Sequence, residues 1–159
     1  MIDDATAADV PDLANLMASS DLLRRYRITP EVALGSLSAA FEAGDILLVS
    51  RADRVIGLAW LSLAPRILNG AAYLRLLLVG QDARNTGAGS SLLAAVEARA
   101  QEQANHLYLL ATTDNSGAQR FYQRHGYRYV GTLPGLVWPD LDEALYYKTL
   151  RSHQERLGT

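Results

Sequence analysis

The residues from Ala71 to Val79, "AAYLRLLLV", are almost all apolar, and the run stops abruptly at a turn, "GQDARNTGAG". Side chains of a strand alternate between two faces, so an unbroken apolar run predicts burial on both. After the turn, Leu92, Leu93, Val96 and Ala100 recur at helical spacing between Gly89 and about Ala104. A second apolar run, "HLYLLATT", then begins at His106. Strand, helix and strand in this order imply one parallel crossover, expected to be right-handed.

The remaining segments fit around that unit. Ile2 to Ala5 predicts a short first strand. Thr6 with Asp9 three residues on is a capping-box pattern opening a helix through "DVPDLANLMASS". A second helix is expected from Pro30, with Thr29 as its N-cap and Gly44 just past its end. Arg24, Arg25 and Arg27 lie between the two helices. They read as a solvated loop or as a rim that meets substrate, and the loop is the preferred reading. Ile46–Ser50 and Val55–Leu63 flank Ala52 and Asp53 as a hairpin. "SGAQRFYQRHG" predicts a short helix closed by Gly126. "YRYVGTL" and "EALYYKTL" predict two last strands joined by "PGLVWPDLD". The order is βααβββαβαββ, with no repeat and no linker, so residues 1–159 are expected to form one domain.

Composition narrows the function. A chain of 159 residues with 49% hydrophobic side chains buries a sizeable core without disulfides. There is no cysteine, which excludes a thiol nucleophile and a Cys-based metal site. The net charge of -2 argues against a nucleic-acid partner. No apolar run has the length of a membrane span, and no leader-like segment is visible, so a cytoplasmic location is expected. His106, His125 and His153 are scattered, and no His, Asp or Glu set has metal-ligand spacing.

The glycine-rich turn is the place for chemistry. The first amides of a helix lack intrahelical acceptors and carry the positive end of its dipole, so they bind anions. The lysine and hydroxyl step of a P-loop is missing. Leu92 stands where a dinucleotide fingerprint needs its third glycine. What remains is Arg84-x-x-Gly87-x-Gly89, with the aliphatic Val79 five positions before the arginine. About 25 residues beyond the turn comes "TDNSGAQRFYQRHGY", which holds Asn115, Ala118, Phe121, Tyr122, Gly126 and Tyr127. In order and spacing the two segments resemble the acetyl-CoA loop and the later helix of the GCN5-related N-acetyltransferase (GNAT) family. The resemblance extends over nearly the whole chain, because the element order is the family's.

The resemblance implies an α/β fold with a mixed, mostly antiparallel central sheet and helices on both faces. In it a parallel strand pair splays at the acetyl-CoA cleft, here between "LRLLLV" and "HLYLLAT". It implies acetyl-CoA as co-substrate and no metal. The pyrophosphate would rest on the amides of Asn85, Thr86, Gly87, Ala88, Gly89 and Ser90, beside Arg84. Leu78 and Val79 would offer backbone groups to the pantetheine arm, with a Val79-region amide polarising the thioester carbonyl. Asn115 would bond the pantetheine side, or cap the next helix. Tyr122 is the candidate general acid for the departing thiolate, or a packing aromatic. The strand before the turn lacks the carboxylate many members carry. Asp140, Asp142 and Glu143 read best as a solvated acidic turn, and a water relay could take the amine's proton instead. Tyr26, Tyr73 and Trp138 are candidates for the acceptor pocket, and Trp138 could equally cover the core or a homodimer contact.

The expected activity is acetyl transfer from acetyl-CoA to a primary amine of a small molecule or an amino-acid-like metabolite. A protein or peptide amine is the nearest variant, and a non-catalytic acyl-CoA sensor is the reading from another class.

Overall fold

Periodicity and turn chemistry place most elements where the residues predict them in the computed structural model, which describes residues 1–64 and 68–151. His153 and the tail after Arg151 lie outside the described residues. The strands are β1 (Ile2–Asp4), β2 (Ile46–Arg51), β3 (Val55–Ser62), β4 (Ala71–Val79), β5 (His106–Thr112), β6 (Arg128–Trp138) and β7 (Leu141–Thr149). The helices are α1 (Val10–Ala18), α2 (Asp21–Arg25), α3 (Pro30–Glu42), α4 (Ala88–Gln101) and α5 (Ser116–Arg124). The strands form one seven-stranded sheet in the order β1-β2-β3-β4-β5-β7-β6. β4 and β5 are its parallel pair, as the crossover requires.

The chain forms two compact units, each built from separate segments. The first comprises Met1–Ser62 and Leu76–Ala98. Its core joins Leu13 and Met17 of α1, Ala33 and Leu37 of α3, and Val49, Leu58 and Trp60 of the β2–β3 hairpin. Each such aliphatic side chain contributes about 1.5–3 kcal/mol when fully buried. The indole N–H of Trp60 donates to Asp45 at 2.8 Å, which satisfies its polar end. Before α1 a 3-10 turn covers Ala7–Asp9. There Asp9 accepts the Thr6 backbone N–H at 2.8 Å and holds Arg51 of β2 at 2.8 Å. The capping-box pattern therefore ties the chain's start to the hairpin as well as to a helix.

The second unit comprises Leu63–Arg75 and the residues from Arg99 on. β5 is its spine, with Leu107, Tyr108 and Leu109 all buried. On one side β5 pairs with β4 from Ala71↔His106 to Leu74↔Leu109. On the other it pairs with β7 over its whole length, from His106↔Thr149 to Thr112↔Glu143. Gln119 fastens α5 to these strand ends. Its amide donates to the carbonyls of Thr112 (3.4 Å) and Thr113 (2.6 Å), and its carbonyl accepts the Tyr146 hydroxyl at 3.1 Å.

Two expectations change. The segment expected as a loop between the first helices contains the one-turn helix α2. Ser20 caps it by accepting the Leu23 N–H at 3.3 Å, and burial of Leu23 anchors it. At the other end, most of "PGLVWPDLD" is strand. β6 continues to Trp138, and only Pro139 and Asp140 separate it from β7. The register shifts between Leu133 and Trp138, so the extra residues bulge out. Because β6 ends the sheet, Pro134 removes no interior ladder bond.

The Asp9 carboxyl is held below its usual range, first by the Thr6 backbone N–H and then, against the opposing effect of burial, by Arg51. Its stabilisation is therefore complete above about pH 4 and is lost as pH falls through the lowered native value. We predict that Asp9→Asn costs about 1–2 kcal/mol at pH 7 in urea unfolding. The difference from wild type should shrink below about pH 4. A difference that persists unchanged at pH 2 would contradict this.

Candidate functional site

The turn between β4 and α4 is built for backbone donors. A 3-10 turn over Gln81–Ala83 carries the chain off the strand, and Arg84 is extended (φ -65, ψ 147). Asn85 and Gly87 are both left-handed, with φ of 62 and 88. Left-handed residues on either side of Thr86, whose φ is negative, fold the amides into a concave nest. The Thr86 hydroxyl donates to the Ala83 carbonyl at 2.6 Å and fixes the bend. The Ser91 N–H bonds the Gly87 carbonyl at 3.0 Å, the first full helical bond. The N–H groups of Ala88, Gly89 and Ser90 thus stand in the first turn of a 14-residue helix, where no helical carbonyl precedes them. Arg84, Asn85, Thr86 and Gly87 are exposed. A side-chain carbon added at Gly87 would meet nothing within 4 Å, so the space before the nest is open.

The end of β4 presents its backbone in a defined way. The Gly80 N–H bonds the Ile56 carbonyl of β3 at 2.9 Å. The Leu78 carbonyl faces the same way, 3.1 Å from where a Gly57 side-chain carbon would stand. Backbone groups of consecutive residues point to opposite edges of a strand, so the Val79 N–H, between Leu78 and Gly80, points away from β3. The parallel ladder with β5 ends at Leu74↔Leu109, whereas β4 itself runs on to Val79.

Asn115 and Tyr122 share α5 in the second unit. The Asn115 side-chain carbonyl accepts the Ala118 N–H at 3.1 Å, so the residue is the helix N-cap. That leaves its carboxamide NH2 as the part that can reach a ligand. Tyr122 follows two turns later on the same face and is 8% exposed. Its ring meets Phe121 and Tyr127 edge-on, with centroids at 5.3 and 5.7 Å. Burial pushes its phenol well above the usual tyrosine range, so it stays protonated at neutral pH and keeps an O–H to donate.

The other candidates are spread over both units. Tyr26 is half-buried at the end of α2. Tyr73 is half-buried and stacked on Tyr108, ring centroids 4.8 Å apart. Trp138 is half-buried where β6 ends, opposite Leu141. The acidic trio does not form one solvated turn. Asp140 and Asp142 are exposed, and Asp142 accepts the Gly135 N–H at 3.0 Å to brace the β6 bulge. Glu143 is 3% exposed, inside β7 between Thr112 and Leu133. The sequence reading missed its burial because it placed the start of β7 too late. Among the described residues, no three His, Asp or Glu side chains could hold a metal ion. No described helix is long and apolar enough to cross a membrane.

An open amide nest at a long helix start, an adjacent arginine and an outward strand edge suit a phosphorylated co-substrate with an amide-bearing arm. Comparison with known proteins gives this site its context. Residues 16–127 match the model of the acetyltransferase (GNAT) family. Solved structures share the fold at low identity. A ribosomal-protein-alanine N-acetyltransferase from Brucella melitensis is 22% identical, with a TM-score of 0.76 over 94% of this chain and 99% of that one. The protein yncA of Salmonella typhimurium, solved with its cofactor acetyl-CoA, is 17% identical, with a TM-score of 0.77 over 96% and 95%. An aminoglycoside 6'-N-acetyltransferase complexed with coenzyme A is 15% identical, with a TM-score of 0.79 over 96% and 98%. The chain belongs to the acetyltransferase (GNAT) family and is an acyltransferase that takes acetyl-CoA as its donor.

Proposed function

We propose that this is a single-domain, cytoplasmic N-acetyltransferase whose acceptor is a primary amine of a small molecule or an amino-acid-like metabolite. One observation carries the assignment of the site: β4 continues past the last pair of its parallel ladder and leads through a single 3-10 turn into the amide nest. A strand edge followed by a helix start offers donors first to an amide-bearing arm and then to a pyrophosphate. When bound, acetyl-CoA supplies the activated thioester.

This chain's residues then have distinct tasks. The amides of Asn85 to Ser90, with Arg84 beside them, hold the pyrophosphate. The Val79 N–H donates to the thioester carbonyl oxygen, where negative charge develops as the amine attacks. The Asn115 carboxamide binds the arm. Tyr122 donates a hydrogen bond to the leaving sulfur. A phenol raised above its usual range is a weaker acid than a thiol near pH 8.5, so this bond steadies the thiolate more than it transfers a full proton. The two-residue β6–β7 connection supports a small acceptor over a peptide, because a tight hairpin offers no long wall for an extended chain.

Following free thiol over a panel of amines, amino acids and peptides tests these roles. Tyr122→Phe should lower kcat about 100-fold while CoA affinity stays within about twofold. No alkaline limb should arise from this group below about pH 10. An unchanged kcat would remove the role. Gly89→Asp places a carboxylate at the nest, and the affinity for CoA should fall about tenfold or more by calorimetry. Undiminished affinity would show that the pyrophosphate lies elsewhere.

A further inference from the structure

The second unit exposes its large apolar side chains along one strand. Tyr129 (53% exposed), Val130 (60%), Leu136 (48%) and Val137 (51%) all stand on β6. The other large apolar residues exposed among the described ones, Met1, Val32, Leu34 and Phe41, belong to the first unit. β6 is the last strand of the sheet, so one of its edges has no strand partner among the described residues. Folded chains blunt such edges, because an open strand recruits further strands. The middle of β6 is blunted in this way. Pro134 has no N–H, and the Gly135 N–H is given to Asp142 at 3.0 Å. The register shift between Leu133 and Trp138 makes the residues between them bulge. Protection alone would be served by polar side chains on that bulge, yet it presents Leu136 and Val137.

The order of side chains along the strand identifies what fits it. Arg128 opens β6 and is followed by Tyr129 and Val130. Leu136 and Val137 come near its end, and Asp140 lies two residues beyond Trp138. The apolar pairs are placed symmetrically about Leu133, 129 against 137 and 130 against 136. A basic end, an apolar pair, a centre, an apolar pair and an acidic end complement the same series running in reverse. Arg128 and Asp140 are both exposed, and neither has a hydrogen-bond or ion-pair partner among the described residues. A patch that complements its own reverse meets the requirement of a twofold axis, where one surface serves on both copies.

We propose that β6 is the contact strand of a homodimer, in which two copies set their β6 strands antiparallel about a twofold axis at Leu133. Tyr129 then meets Val137 of the partner subunit, and Val130 meets Leu136 of the partner subunit. Arg128 comes beside Asp140 of the partner subunit, and each contact is made twice. Pro134 and the bulge interrupt any ladder across the axis, so side chains carry the contact and the pairing closes at two copies. One strand edge is small beside the roughly 800 Å² per partner of a standard interface, so the dissociation constant should be on the order of 10 μM.

Sedimentation equilibrium of the full chain over about 1–300 μM brackets that constant. Wild type should pass from monomer to dimer, and added salt should weaken the dimer through its exposed charge pairs. Val130→Glu should weaken it about tenfold or more. Arg128→Asp or Asp140→Arg alone sets like charges against each other and should weaken it about tenfold. The two together rebuild the pair in the opposite sense and should return the constant to within about threefold of wild type. Because the chain has no cysteine, Leu133→Cys places a single thiol at the axis. Mild oxidation should link that thiol to its copy, whereas Val32→Cys on α3 should stay unlinked. Circular dichroism establishes which variants fold, and the double charge variant and Leu133→Cys decide the matter where Val130→Glu does not. A wild type that stays monomeric throughout would overturn the proposal. So would a dimer unmoved by folded Val130→Glu, or charge reversals whose double variant does not recover.

Discussion

The site depends on a parallel ladder that stops early. β4 and β5 pair only from Ala71↔His106 to Leu74↔Leu109, although β4 runs on to Val79. A parallel pair needs a crossover, and here the crossover is α4. The start of α4 must then follow the carboxyl end of β4, which puts the first-turn amides of a long helix close to the strand's last residues. In open α/β sheets ligands gather at strand carboxyl ends for this reason. Binding by backbone, as proposed for this turn, would account for how little side-chain chemistry it contains. The left-handed residues Asn85 and Gly87 set the direction of its amides.

Much of this was legible in the residues. The apolar runs, the helical spacing after Gly89 and the Asn115 cap survive in the folded chain, because each is a local preference that packing reinforces. The turn was legible for the same reason, since few residues other than glycine and asparagine take the conformations it needs. Three features were hidden. α2 is only five residues long, too short for periodicity, and owes its existence to the Ser20 cap and the burial of Leu23. The extension of β6 through Pro134 and Gly135 depends on its place at the sheet edge, which the segment itself does not reveal. The burial of Glu143 follows from the earlier start of β7 at Leu141, which sets it between Thr112 and Leu133. The acceptor pocket is least legible, because its candidates Tyr26, Tyr73 and Trp138 come from distant segments and none belongs to a spaced motif.

In the proposed reading, fixed backbone amides stabilise developing charge with little reorganisation, and Tyr122 is buried, which pushes its phenol above the usual tyrosine range.

The central claim is that the backbone at the end of β4 and in the following turn holds the donor. Hydrogen–deuterium exchange with and without CoA tests it most directly, because it reads amides rather than side chains. The account predicts that CoA slows exchange at Val79 and from Asn85 to Ser90, with little change in β1, β2 or α3. Protection absent from both segments at saturating CoA, or confined to other elements, would contradict it.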